Sequence, residues 1–313
     1  MKHLSFALGH NDRWWKYLIL FLASFLGGQT IGGLPLLIVV VYKIAQSGGS
    51  LLPNQANLSD LSAFGIEPNL GFFLMILPFI ASLLILFLLY KPLHRRNYKT
   101  IITGAKSIRW NRFFAGAGVW IILSAVYLII DYRSNPGNFA FNFNLQSFIV
   151  LVFLSLTLIP IQSSYEEIMF RGYLAQGVAA WTKNKWMVIL LPSLLFGSLH
   201  ILNPEIQEYG FWITMPQYII FGLVFGLVTV LDNGTEIAMG AHSANNAFLS
   251  IVITSKASVL QTNALFVQQN INPQKDLIML FVVFALFIVI LSIIYKWDYK
   301  SLNEKITTEI SIE

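Results

Sequence analysis

The chain has 313 residues, 56% of them hydrophobic and 11% charged, with a formal charge of +5 and no cysteine. A water-facing domain carries about 25% charged residues, so this deficit excludes an ordinary soluble protein. The absence of cysteine excludes disulfides, thiolate metal sites and thiol nucleophiles. The fold class expected is all-α, a polytopic transmembrane helix bundle of about eight spans.

Taken in chain order, the amino terminus is polar up to Lys16. The first apolar stretch, Tyr17 to Ile44, is too long for a signal-peptide core and reads as a retained first helix. Within it Gly27-Gly28, Gly32-Gly33 and Pro35 suggest a close helix crossing or a kink. Residues 47–68, rich in Ser, Asn, Leu and Pro, read as an outer loop with room for a short interfacial helix. A second span, Leu70 to Tyr90, leads into a loop over 91–112 where Lys91, Arg95, Arg96, Lys99, Lys106, Arg109 and Arg112 occur without an acid. Between two apolar spans such a cluster is a positive-inside signal rather than a nucleic-acid surface. It also suits contact with anionic membrane lipids. With eight spans, both termini then lie in the cytoplasm of a multi-pass cell-membrane protein. Oligomeric state is left open.

The further spans are Phe113–Ile130, Leu145–Ile161, Met187–Leu202, Trp212–Leu231, Ile237–Ile253 and Leu277–Tyr295. A span needs about 20 residues to cross roughly 30 Å of hydrocarbon. Trp14, Trp15, Trp186 and Trp297 fall at span ends, as interfacial aromatics do. The expected organisation is amino-terminal helices and a basic loop over 1–112, a core over 113–254, and a last span with a tail over 255–313.

Three places break the apolar pattern. In Glu166-Glu167-Ile168-Met169-Phe170-Arg171, helical spacing lets Glu167 pair with Arg171. Glu166 then points about 100° away and faces a cavity. In Phe196-Gly197-Ser198-Leu199-His200, Phe196 and His200 share a face, and Gly197 admits a neighbouring helix. Pro192 marks a possible helix start there. In His242-Ser243-Ala244-Asn245-Asn246, His242 and Asn246 share a face and Asn245 lies off it. Ionisable groups inside spans are costly and mark sites or pathways. A carboxylate and an imidazole can activate water, and an imidazole and an amide can donate to an oxyanion. The opening is expected on the cytoplasmic side. Ser198 and Ser243 sit off the faces of the neighbouring histidines, so a serine dyad must form between helices.

The combination Glu-Glu-x-x-x-Arg, Phe-x-x-x-His and His-x-x-x-Asn, in this order, resembles the CAAX-protease and bacteriocin-processing (Abi) family of intramembrane proteases. The resemblance covers roughly residues 110 to 254. It implies a membrane hydrolase with Glu166 catalytic, His200 helping to activate water, and His242 and Asn246 near the oxyanion or a metal. Glu167, Arg171 and Phe196 are then supporting residues. The implied partner is a membrane-associated or lipidated protein or peptide, with a link to bacteriocin processing or immunity. The family is often labelled metalloprotease, and zinc could take His200, His242 and Glu166. The His-Glu-x-x-His arrangement of ordinary zincins is absent, and water activated without a metal is the favoured reading. The rival function is a membrane transporter or an immunity scaffold without catalysis.

Overall fold

The computed structural model describes residues 2–8, 13–48 and 61–307. Lipid offers backbone groups no partners, so the apolar runs close their hydrogen bonds internally as helices. In order these are α1 (Lys2–Ser5), α2 (Trp14–Gln46), α3 (Pro68–His94), α4 (Trp110–Ser134), α5 (Leu145–Glu167) and α6 (Ala175–Thr182). Then come α7 (Lys185–Ser198), α8 (Pro204–Tyr209), α9 (Phe211–Asp232), α10 (Glu236–Ile251) and α11 (Pro273–Tyr295). A π-helical turn, Ile168–Leu174, joins α5 to α6 into one continuous rod.

Each expected span is represented by a helix, and the chain is a multi-pass helical membrane bundle. Among the described residues, six helices are long and apolar enough to cross a membrane: α2, α3, α4, the α5–α6 rod, α9 and α11. The other two are short. α7 has 14 residues and α10 has 16. At about 1.5 Å per residue they reach about 21 and 24 Å, less than the hydrocarbon thickness. The span expected over Met187–Leu202 therefore stops at Ser198, and His200 lies in the turn beyond it. Pro192 is inside α7 rather than at its start. The helix is opened by Asn184, whose side chain accepts from the Trp186 and Met187 amides.

Among the described residues there are also three strands that were not expected: β1 (Phe139–Phe141), β2 (Ile253–Ser255) and β3 (Phe266–Gln268), ordered β1-β3-β2. β1 runs antiparallel and β2 parallel to β3. They pair the backbone of two loops that have no helix to satisfy it. For the loop expected over 47–68, residues 49–60 lie outside the described residues; Leu61–Phe64 form a 3-10 turn.

Glycines set the helix crossings. A methyl group on Gly28 would strike Ser82, and one on Gly32 would strike Pro78, so these two glycines form a close crossing of α2 with α3, while Gly33 faces open space. Gly116 and Gly240 do the same between α4 and α10, against Ile237 and the Phe113 carbonyl. Gly240→Ala is expected to destabilise the bundle by about 1–3 kcal/mol through overpacking. Thermal unfolding in detergent would show this as a lowered midpoint; an unchanged midpoint would refute the close crossing.

One end of the bundle gathers the chain's basic segments. The His3 amide donates to Asn233 Oδ1 at 2.8 Å, and its ring lies 3.3 Å from the Ile101 carbonyl. Burial pushes the His3 imidazole down to about 4, so it is neutral at pH 7. Ile306 donates its amide to the Lys183 carbonyl at 3.0 Å. Residues near both ends of the chain thus pack on the same end as the basic loop, and the strands lie at the other. Several of the basic loop residues are engaged internally; Lys99 Nζ donates to the Lys106 carbonyl at 2.6 Å. Arg96 is buried against the Phe6 carbonyl and Tyr17. Arg109 pairs with Glu236 at 2.6 Å and Asp232 at 3.0 Å. Arg112 lies 3.5 Å from Asp232 and over the Tyr295 ring.

Candidate active site

The site forms where the α5–π junction, the end of α7 and the middle of α10 meet. α5 brings Glu166 and Glu167 to its last turn, and the π turn begins directly after them. Such turns in helices are frequent at functional sites. Glu166, Glu167, Arg171 and His242 are all buried. Arg171 Nη1 donates to Glu167 Oε1 at 3.1 Å. The guanidinium also lies 4.3 Å from the centre of the Phe196 ring, a favourable cation–π contact in a dry setting.

His242 is held between the two carboxylates. Its Nδ1 is 2.7 Å from Glu167 Oε1, and its Nε2 is 3.4 Å from Glu166 Oε2. An ionised carboxylate only accepts. Glu167, neutralised by Arg171, therefore takes the Nδ1–H of His242 and turns Nε2 towards Glu166. Both ring nitrogens of His242 thus face carboxylates.

His200 is fixed differently. Its Nδ1 is 2.7 Å from the Phe196 carbonyl, and its ring stacks on Tyr218 at 4.4 Å and 24°. A carbonyl only accepts, so Nδ1 carries the proton and Nε2 is the basic nitrogen of the neutral ring. Asn246 Nδ2 donates to Gln162 Oε1 at 3.0 Å, and Gln162 also lies close to Glu166. Gln162 was not singled out from the sequence, although it stands one helical turn before Glu166. Tyr218 was missed too, because nothing in its own helix marks it.

Towards the basic end the site is closed by one packed cluster that includes Met169, Phe170, Phe196 and Met239. Its partly exposed members, His200, Asn245 and Asn246, lie away from that end. Zinc would need three protein ligands and an open position. Among the described residues no three His, Asp or Glu side chains are grouped to hold a metal ion. The set His200, His242 and Glu166 does not fit one.

Residues 144–248 match the family described as Type II CAAX prenyl endopeptidase Rce1-like. Over 251 residues, 80% of this chain and 81% of the relative, the chain is 31% identical to an uncharacterized protein, YyaK, of Bacillus subtilis (strain 168). The chain belongs to the Rce1-like family. The Rce1-like match runs from the start of α5 into α10 and so contains all three motif-bearing segments. A second similarity, 24% over 225 residues, covers 68% of this Rce1-like chain and 34% of the probable potassium transport system protein Kup of Paraburkholderia xenovorans (strain LB400). No solved structure matches the chain at a significant level.

Proposed function

We propose that the chain is an intramembrane endopeptidase that hydrolyses peptide bonds in membrane-associated or lipidated proteins, with water activated by Glu166 and His200. The observation that carries this reading is the buried row Arg171–Glu167–His242–Glu166. It pins a histidine in one tautomer and gives Glu166 a neighbour that can share its proton. Water bound between Glu166 and His200 Nε2 attacks the carbonyl carbon and passes its proton to the Glu166–His242 pair. The tetrahedral oxyanion accepts a hydrogen bond from Asn246 Nδ2. As the C–N bond breaks, Glu166 returns the proton to the departing amine. Exclusion of bulk water strengthens each of these interactions.

The short α7 ends in a turn whose Leu199, Ile201 and Leu202 are exposed, which supports substrate entry sideways from the lipid. Exposed Lys91, Arg95 and Lys106 support a cytoplasmic basic end, with both termini there. The decisive experiment is a cleavage screen in proteoliposomes, using prenylated and unmodified membrane peptides. Asn246→Ala is expected to lower kcat by about 10²–10³ through loss of one oxyanion donor, with KM little changed. A rival reading, a transporter, draws on the similarity to Kup. Potassium flux into the same vesicles, without cleavage of any peptide, would favour it and overturn the peptidase reading.

A further inference from the structure

A row of amide side chains crosses the site and ends on a tryptophan. Trp120 of α4 is buried. Its ring is wedged among Phe221, Phe225, Phe284 and Phe287 at centroid distances between 5.1 and 6.0 Å. Its Nε1 donates to Asn245 Oδ1 at 3.2 Å. Asn245 Nδ2 donates to Asn246 Oδ1 at 3.0 Å, and Asn246 Nδ2 donates to Gln162 Oε1 at 3.0 Å. Ser163 Oγ donates to the same Gln162 oxygen at 3.1 Å.

The direction of this row follows from chemistry. An amide can turn over and exchange its oxygen for its nitrogen, but an indole N–H can only donate. With the Trp120 ring locked by its neighbours, Asn245 must present oxygen to it and nitrogen to Asn246. Asn246 must then present oxygen to Asn245 and nitrogen to Gln162. Gln162 in turn has its oxygen occupied, and its Nε2 is left to face Glu166. One hydrogen of Asn246 Nδ2 bonds Gln162; the second is available to the reacting carbonyl. With the row reversed, Asn246 would offer a lone pair where the oxyanion forms.

We propose that Trp120, Asn245 and Gln162 are positioning residues that set the polarity of the Asn246 amide, so that it meets the transition state as a donor. This rests on the peptidase reading above. It gives a role to Asn245, which helix geometry alone set aside, and to a tryptophan that otherwise looks like core.

The test combines kinetics with a readout independent of cleavage, on full-length protein. Trp120→Phe keeps an aromatic ring and removes the N–H; Asn245→Leu keeps the shape and cuts the row; Gln162→Leu cuts its far end. Each is expected to lower kcat about 10- to 100-fold, below the full effect of deleting an oxyanion donor, with KM within about twofold. In protein labelled with 15N-tryptophan, the Trp120 indole resonance is assigned by its loss in Trp120→Phe. It should move upfield in Asn245→Leu as the hydrogen bond is lost. An unmoved resonance would overturn the row itself, whatever the activity. A moved resonance with unchanged kcat in folded Trp120→Phe and Asn245→Leu would overturn the positioning role. A moved resonance in a protein that cleaves nothing would overturn the peptidase reading, and this role with it, while leaving the bonded row standing.

Discussion

Glu166→Gln should abolish peptide hydrolysis in a protein that still folds. The amide keeps the size and shape of the carboxyl group, so the last turn of α5 has no reason to move. It cannot take a proton from water or return one to the leaving amine. General acid–base catalysis contributes about 10²–10⁴; in the proposed mechanism Glu166 acts in both the attack and the departure, so the upper end, about 10⁴, is expected. The measurement is single-turnover cleavage of a peptide identified with the intact protein, alongside its thermal midpoint. Cleavage at the intact protein's rate would remove Glu166 from the chemistry and return the chain to the transporter or scaffold readings.

The second large effect concerns Glu167, and it separates stability from catalysis. Glu167→Ala leaves Arg171 charged and buried without its carboxylate. Breaking a buried pair from one side destabilises by about 3–5 kcal/mol, so little folded protein should be recovered from membranes. Changing both partners, Glu167→Leu with Arg171→Leu, removes the stranded charge, and such replacements are often neutral or stabilising. The double variant should therefore fold. It should remain inactive, because nothing then holds the Nδ1–H of His242, and losing the carboxylate behind a catalytic histidine lowers kcat by about 10⁴ in serine proteases. Yield after detergent extraction reads the first effect and turnover the second. An active double variant would show that Glu167 serves stability alone.

The helical bundle could be read from the sequence because a bilayer imposes one rule on every residue of a span. An apolar run of sufficient length must be a helix, and Leu70–Tyr90 or Leu277–Tyr295 admit no other solution. The pairing of Glu167 with Arg171 was legible for a similar reason: four residues along one helix fix their separation without any neighbour. The three motif segments were legible as polar breaks in an apolar background.

What the sequence by itself determined is therefore whatever depends on local spacing: eight helical segments, the glycine-lined first span, the Glu167–Arg171 contact and the family resemblance. Only the tertiary structure decided the rest. It ended α7 at Ser198 and placed His200 in a turn against Tyr218 of another helix. It supplied acids, Asp232 and Glu236, to Arg109 and Arg112 of a loop that has none of its own. It put His242 between two glutamates about 75 positions away and tied Trp120 to Asn245 across 125. These contacts join side chains on different helices, and a helix's own periodicity says which face a residue occupies but not what stands opposite it.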